Sequence, residues 1–180
     1  PLVRDTLARW NFNGTSAATI PGGITAPTPH RGSGSASLVN SPTGSFVLGN
    51  AITTSNNSSD SAAGATNFTW STTGYPAINT NTLRGYQFNV STTGRKNIQL
   101  SFDLYYSATA SRFMRLEYST NGGTTWTSYT GPGTDTANLY RANQGGNRWY
   151  LNRTANFTGI SGVDNNAAFR VRLVAVFAPG

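Results

Sequence analysis

The ten residues 97–106, NIQLSFDLYY, decide the fold class of this chain. Apolar side chains occupy every second position, namely Ile98, Leu100, Phe102, Leu104 and Tyr106. A repeat of two residues places alternate side chains on opposite faces of a β-strand. The stretch therefore predicts a strand with one face in a core and the other face in water, an arrangement typical of antiparallel sheets.

Similar period-two patterns lie on both sides of this strand, whereas helical periodicity is almost absent. They are TLARWNF (6–12), SASLV (35–39), SFVLG (45–49), GYQFNVS (85–91), RFMRLEYS (112–119), TTWTSY (124–129), NLYR (138–141), RWYL (148–151) and AFRVRLVAVF (168–177). The Ser-, Asn- and Gly-rich segment 53–66 predicts a long loop. About eight to ten short strands separated by turn residues predict a single all-β domain over residues 1–180, an antiparallel β-sandwich of jelly-roll-like form.

The composition limits the partners of this domain. Only 11% of the residues are charged, and the net charge of +7 comes from scattered arginines and one lysine, Lys96. Arg170 and Arg172 share a strand face, but no basic run is present, so nucleic acid could bind only through diffuse positive charge. The chain has no cysteine. No apolar stretch approaches the length that crosses a bilayer, so we expect no membrane span.

Residues that could perform catalysis are scarce. His30 is the only histidine, and the chain has only six carboxylates. Asp103 and Glu117 lie on the outward faces of strands that are neighbours in sequence, and they could form an acid–base pair only if those strands also pair. Ion pairs with arginines are the alternative. Calcium could bind near Asp60 or Asp135, although no calcium-binding motif supports such a site. We therefore predict no enzyme, no metal site and no required cofactor.

The stretch 119–126, STNGGTTW, resembles the Asp-box hairpin of sialidases, with Asn121 in the place of the aspartate. In sialidases this box recurs on several propeller blades, whereas this chain has one box and is too short for a propeller. Asn-Gly favours a hairpin, and glycine accepts the positive φ angles of its turn. We therefore predict a structural turn formed by Ser119, Asn121, Gly122, Gly123, Thr125 and Trp126.

Aromatic side chains that face outward or lie near loops could stack on sugar rings. The predicted ligand-binding residues are Tyr105, Phe113, Arg115, Trp149 and Tyr150. The alternative is that Trp149, Tyr150 and also Trp70 cover the ends of the core. A groove lined by Tyr105, Phe113 and Trp149 would favour sugar binding.

Four stretches carry a resemblance to a known family: 8–23 (ARWNFNGTSAATIPGG), 26–39, 87–126 and 169–180 (FRVRLVAVFAPG). The chain is similar to the N-terminal β domain of secreted bacterial extracellular nucleases and of PEP-CTERM-type surface proteins. The resemblance implies a secreted, non-catalytic, jelly-roll-like module, with any nuclease chemistry in another domain. It supplies no catalytic residues.

In that family the chain usually continues past the FAPG position into a further strand, so a sandwich ending at Gly180 would leave an edge open to another subunit. The predicted assembly residues are Pro1, Leu2, Val3, Arg4, Asp5 and Phe177, with 1–5 as the donor strand. We therefore expect a secreted or cell-surface structural subunit of a filament or surface layer, with copies of itself as partners. The alternative is a carbohydrate-binding or adhesion module that binds extracellular polysaccharide.

Overall fold

The computed structural model describes residues 4–49, 58–60, 66–76 and 83–177. Strands dominate these residues, and the helical element among them is a 3-10 turn at Ala17–Thr19. The strands are β1 (Ala8–Arg9), β2 (Arg31–Gly32), β3 (Ser35–Val39), β4 (Thr43–Leu48), β5 (Phe68–Thr73), β6 (Gly85–Asn89), β7 (Gln99–Tyr106), β8 (Phe113–Ser119), β9 (Thr127–Ser128), β10 (Tyr140–Arg141), β11 (Arg148–Asn156) and β12 (Arg170–Ala175). The predicted all-β class is confirmed.

The strands form a two-layered antiparallel sandwich. One layer is a sheet with the strand order β10-β8-β12-β6-β3, and β9 also pairs with β8. The other layer consists of two antiparallel pairs, β11-β7 and β4-β5, while β1 and β2 form a short separate pair. The chain passes between the layers six times along β3 to β12, namely from β3 to β4, β5 to β6, β6 to β7, β7 to β8, β10 to β11 and β11 to β12. Such repeated crossing fits a jelly-roll-like connection.

Two hydrophobic clusters fill the space between the layers. The larger cluster joins β7 and β11 to β8 and β12, and its most buried side chains include Leu116, Phe157 and Val163. The smaller cluster joins β4 and β5 to β3 and β6. Tyr86 and Phe88 pack against both clusters, so the two form one continuous core. The alternation predicted for 97–106 is confirmed, because its apolar set faces the larger cluster.

Several segments differ from their predicted structure; for example, the strands predicted at 124–129 and 138–141 shorten to β9 and β10. The strand predicted for 6–12 reduces to β1, because Phe12 has a φ angle of 54° and Trp10 donates its indole N–H to the Pro27 carbonyl at 2.9 Å. The strand β5 was not predicted. The strand predicted at 148–151 extends to Asn156, with a register shift around Asn152, whose φ angle is 52°. The predicted loop 53–66 lies mostly outside the described residues.

Candidate functional site

The strand β3 forms one edge of the large sheet and pairs with β6. The hydrogen bonds of β6 with its two neighbours show which backbone groups of β3 are paired. At one end of β6 the N–H of Val90 donates to the Phe169 carbonyl at 3.2 Å. At the other end the carbonyl of Arg84 accepts a hydrogen bond from the N–H of Ala175 at 2.9 Å. Successive residues of a strand direct their backbone groups to opposite sides. Even-numbered residues of β6 therefore bond to β12, and odd-numbered ones bond to β3.

The register between β3 and β6 then shows which backbone groups remain on the outer edge of β3. Ser35, Ser37 and Val39 stand opposite odd-numbered residues of β6, so they are bonded to that strand. Ala36 and Leu38 direct their N–H and C=O groups away from the sheet. In the described part of the chain, no backbone partner meets these groups. Among the described residues, the outer edge of β3 therefore has no paired strand.

Two of the other outer strands, β10 and β11, carry features that oppose pairing between molecules, whereas β4 and β5 do not. The two-residue strand β10 carries Arg141, and β11 carries Arg148, Arg153 and an irregular register. Charged residues, short length and bulges all hinder edge-to-edge association. By contrast, β3 has the sequence SASLV, with no charge, no proline and no shift in its register with β6. It therefore lacks these protective features.

The predicted assembly residues lie at both ends of the described chain. Pro1, Leu2 and Val3 fall outside the described residues. Arg4 is exposed, and the carboxylate of Asp5 lies 2.7 Å from Nη2 of Arg95. Phe177 is 36% exposed, which makes it one of the more exposed large apolar residues in the described chain. Residues 4–6 belong to no strand, so they do not extend the β1–β2 ladder within this subunit.

A second candidate site is an open depression beside β11. It has a volume of about 360 Å³ and is lined by Asn143, Gln144, Trp149, Tyr150, Leu151 and Arg153. A neighbouring depression of about 270 Å³ shares Asn143 and Arg153 with it. Together they combine aromatic, amide and guanidinium groups, the kinds of group that bind sugars and carboxylates.

Arg153 is the central charged residue of these two depressions. Its guanidinium carbon lies 5.1 Å from the ring centroid of Tyr150, and Nη2 donates to the Arg141 carbonyl at 3.3 Å. Nε of Arg141 lies 3.3 Å from Oδ2 of Asp135, an ion pair without hydrogen-bond geometry. Burial raises the pKa of the neighbouring Tyr140 phenol above its ordinary value. In the sequence, Arg153 is one of several scattered arginines, and no local motif distinguishes it.

The predicted ligand-binding residues do not form one surface. Tyr105 and Trp149 stand opposite each other on β7 and β11, with ring centroids 5.5 Å apart. Phe113 and Arg115 lie on β8 in the other layer, and the guanidinium of Arg141 covers the Phe113 ring at 4.9 Å. The predicted groove of Tyr105, Phe113 and Trp149 is therefore not formed, because β7 and β8 are consecutive in sequence but belong to different sheets.

Trp149 and Tyr150 are buried, with 5% and 6% exposure. The indole N–H of Trp149 donates to the Gly49 carbonyl at 3.0 Å. The hydroxyl of Tyr150 donates to the Gly145 carbonyl at 2.9 Å, and its ring packs edge-to-face on Tyr106. These rings are therefore packed against the protein rather than presented as flat sugar platforms, as the alternative interpretation expected.

Asp103 and Glu117 do not form an acid–base pair, since their strands lie in different sheets. Asp103 accepts hydrogen bonds from the backbone N–H groups of Ser59 and Asn152 at 2.6 and 2.8 Å. Glu117 is buried between two arginines, with Arg115 at 2.7 Å and Arg172 at 2.5 Å. Both carboxylates therefore have structural partners.

The hairpin at 119–126 is closed by its own side chains. Oγ of Ser119 accepts hydrogen bonds from the N–H of Gly123 at 2.8 Å and of Asn121 at 3.3 Å. Oδ1 of Asn121 accepts one from the N–H of Thr125 at 2.9 Å. Gly122 and Gly123 have φ angles of 73° and 89°. Glycine adopts positive φ angles without the steric cost that a side chain adds, which explains the Gly-Gly pair.

Trp126, at the end of this hairpin, contacts the large sheet. The guanidinium carbon of Arg172 lies 4.2 Å from its ring centroid, which is a cation–π distance. Arg172 in turn pairs with Glu117. The hairpin and the arginine–glutamate cluster therefore form one connected structural unit on the outer face of this sheet.

The two carboxylates considered for calcium have protein partners. Asp60 accepts a hydrogen bond from Nδ2 of Asn13 at 2.8 Å and lies 3.9 Å from Arg9. Oδ1 of Asp135 accepts hydrogen bonds from the backbone N–H groups of Ala137 and Leu139. Within the residues that the structure describes, no three His, Cys, Asp or Glu side chains cluster as metal ligands would.

No helix in the described ranges is long and apolar enough to cross a membrane. The fold and its surfaces define an all-β, antiparallel sandwich protein. Comparison with protein-family models, with curated proteins and with solved structures found no match. The edge strand β3 and the depressions beside β11 are therefore the features of this molecule that point to a function.

Proposed function

We propose that this chain is a non-catalytic, secreted structural subunit of an extracellular filament or surface layer, in which copies join through β-strand exchange or edge contacts. The observation that carries the proposal is the outer edge of β3, which pairs with no other strand of the described residues. Pairing would satisfy the outward N–H and C=O groups of Ala36 and Leu38 with another strand, and a sheet edge recognises extended segments in this way.

The composition supports a structural role. With only 11% charged residues, the surface opposes close packing of copies less than a highly charged surface would. The candidates for chemistry also have other partners: Glu117 is held by arginines, and Asp103 caps backbone N–H groups. The single histidine, His30, is exposed in the segment before β2.

The test removes one backbone donor from the free edge. In Ala36→Pro the missing N–H lies on the outer side of β3, where proline is compatible with an edge strand. The matched control is Ala36→Val, which keeps the N–H and adds a side chain of similar size. Both purified variants and the unmodified chain would be examined by negative-stain electron microscopy and sedimentation.

We expect the unmodified chain and Ala36→Val to assemble, and Ala36→Pro to remain in small particles with the same circular dichroism. Equal assembly of the proline and valine variants would contradict the role of this edge. Monodisperse particles in all three samples over a wide concentration range would contradict the filament proposal itself.

A second candidate function is binding of an acidic extracellular polysaccharide. The observation that favours it is the position of Arg153 between the two depressions. Its guanidinium borders both depressions beside β11, where Asn143 and Gln144 supply amide groups. A uronic-acid carboxylate could accept paired hydrogen bonds from a guanidinium group. Tyr150 supports this guanidinium through its ring face.

Titration calorimetry with oligogalacturonate and with a neutral oligosaccharide of similar length would test this candidate. We expect binding of the acidic oligomer alone, and its loss in Arg153→Gln. The control is Arg31→Gln, which removes an exposed arginine of β2 and the same charge. Equal weakening by both substitutions would indicate diffuse charge attraction instead of a site.

A further inference from the structure

The outer face of the large sheet carries two rows of polar side chains that cross four strands. Alternate residues of β3, β6, β8 and β12 belong to the hydrophobic clusters, so the residues between them point away from the core. The register places the outward residues in two rows, Ser35, Asn89, Arg170 and Ser119 in one, and Ser37, Gln87, Arg172 and Glu117 in the other.

Arg170 differs from its neighbours on this face. The residue is half-buried, yet within the described ranges its guanidinium forms no hydrogen bond and no ion pair. Arg172, in the other row, donates to Glu117. A cation that is partly withdrawn from water is stabilised when an anion accepts hydrogen bonds from it. Arg170 is therefore the residue of this face best suited to bind an acidic group.

The hairpin at 119–126 holds the guanidinium of Arg170 in place without binding its N–H groups. A Cβ atom placed on Gly123 would lie 3.2 Å from Nη1 and 3.6 Å from Cδ of Arg170. The arginine therefore lies against a turn without side chains. The turn is itself fixed, because the N–H of Gly122 donates to the Ala168 carbonyl at 3.1 Å.

A line of amide and hydroxyl groups continues from Arg170 toward β3. Asn89 stands opposite Arg170, and its Oδ1 accepts a hydrogen bond from Nε2 of Gln87 at 2.9 Å. Nδ2 of Asn89 donates to Oγ of Ser35 at 2.9 Å. Each amide nitrogen carries a second N–H, and the serine hydroxyl can also donate. The face beside Arg170 is therefore rich in hydrogen-bond donors.

Charge and aromatic contacts narrow the class of ligand. Arg115, Arg170, Arg172 and Glu117 give this face three positive charges and one negative charge, and such a surface attracts acidic polymers. Single-stranded nucleic acid stacks its bases on exposed aromatic rings. Here the guanidinium of Arg172 covers the Trp126 ring at 4.2 Å. Because this ring is engaged, the face favours an acidic polysaccharide over nucleic acid.

The arrangement of donors favours a sulfate group over a carboxylate. The fork of one guanidinium can bind both oxygens of a carboxylate. A sulfate ester has three terminal oxygens, so it can accept hydrogen bonds from Arg170 and from the neighbouring amide line at the same time.

We propose that the outer face of the large sheet binds a sulfated polysaccharide, with a sulfate group on Arg170 and sugar hydroxyls along Asn89, Gln87 and Ser35. This inference goes beyond the filament function and does not rest on it.

The proposed site is separate from the depressions beside β11. Arg141, which borders them, stands opposite Phe113 at one end of β8, whereas Arg170 stands opposite Ser119 at the other end. At about 3.4 Å per residue, these two ends of β8 lie roughly 20 Å apart.

Titration calorimetry with a dextran sulfate oligomer tests the proposal, with unsulfated dextran, oligogalacturonate and oligothymidylate of similar length as comparison ligands. The variants are Arg170→Gln, Arg170→Lys and the control Arg31→Gln, which removes the same charge at an exposed position of β2. Backbone and side-chain amide resonances of the unmodified chain locate the bound oligomer. Circular dichroism monitors folding, and sedimentation monitors assembly.

We expect the sulfated oligomer to bind most tightly and to shift the amide resonances of Gly122, Gly123 and Asn89. Arg170→Gln should weaken its binding about tenfold or more, since hydrogen bonds to a charged group are lost. Arg170→Lys should have an intermediate effect, because it keeps the charge without the fork, and Arg31→Gln should change the affinity little.

Four outcomes would overturn the inference. Equal weakening by Arg170→Gln and Arg31→Gln would indicate diffuse attraction, and shifts confined to residues beside β11 would place the ligand elsewhere. Oligogalacturonate or oligothymidylate binding at this face as tightly as the sulfated oligomer would contradict the choice of ligand. Absence of binding to any oligomer would contradict the site. If Arg170→Gln does not fold, Arg170→Lys and the resonance shifts of the unmodified chain decide. Assembly of the unmodified chain tests the filament function separately.

Discussion

Replacing Glu117 with glutamine tests what stabilises the outer face of the large sheet. The Glu117 side chain is 6% exposed; its Oε1 lies 2.7 Å from Nη2 of Arg115, and its Oε2 accepts a hydrogen bond from Nε of Arg172 at 2.5 Å. Nε of Arg115 is buried without a hydrogen-bond partner, so this guanidinium already depends on a single carboxylate. The substitution keeps the shape of the side chain and removes the charge that two arginines share.

The expected loss of stability can be bounded from these contacts. Removing one member of a buried ion pair costs about 3–5 kcal/mol. The side chains of Arg115 and Arg172 are 29% and 15% exposed, so water can solvate part of each guanidinium after the change. We therefore expect a loss of about 2–4 kcal/mol in the free energy of unfolding. For a chain of this size that lowers Tm by roughly 4–16 °C.

The assay is urea unfolding followed by tryptophan fluorescence and circular dichroism, with linear extrapolation to water. The matched control is Asp5→Asn, because the Asp5–Arg95 pair has the same 2.7 Å separation but side chains that are 57% and 50% exposed. Exposed pairs contribute about 0–1 kcal/mol. If Glu117→Gln and Asp5→Asn lost equal stability, burial of the Glu117 cluster would not matter and the reasoning would be refuted.

Three further predictions concern stability. Ser119→Ala should lower the free energy of unfolding by about 1–2 kcal/mol, since it leaves two backbone N–H groups of the turn without an acceptor; an unchanged urea midpoint would contradict this. Trp149→Phe should cost about 1 kcal/mol through loss of its hydrogen bond, and a variant as stable as the unmodified chain would show that the bond is dispensable. Burial raises the pKa of Tyr86, Tyr106 and Tyr140, so the stability that this burial confers is present below about pH 10 and is lost as pH rises through the folded-state pKa. A phenolate absorbance titration should therefore show that these tyrosines ionise as the protein unfolds at alkaline pH. If every tyrosine ionised near pH 10 while the circular dichroism stayed unchanged, this prediction would be wrong.

The sequence pattern was sufficient to predict the strands in which apolar and polar residues alternate. The prediction for 35–39 coincides with β3, and the central strand was placed with its correct inward face. The alternation did not predict β5, FTWSTT, because hydroxyl side chains take the positions that apolar residues fill in the other strands. β-propensity of threonine, and pairing with β4, decide that segment instead.

The candidate sites depended on contacts between distant parts of the chain. Whether Trp149 is exposed depends on Gly49, which lies 100 residues earlier in the sequence. Whether Tyr105 and Phe113 share a surface depends on which sheet each strand joins. Local alternation identifies an outward-facing side chain, but it does not reveal the segment that covers it or the order of strands in a sheet.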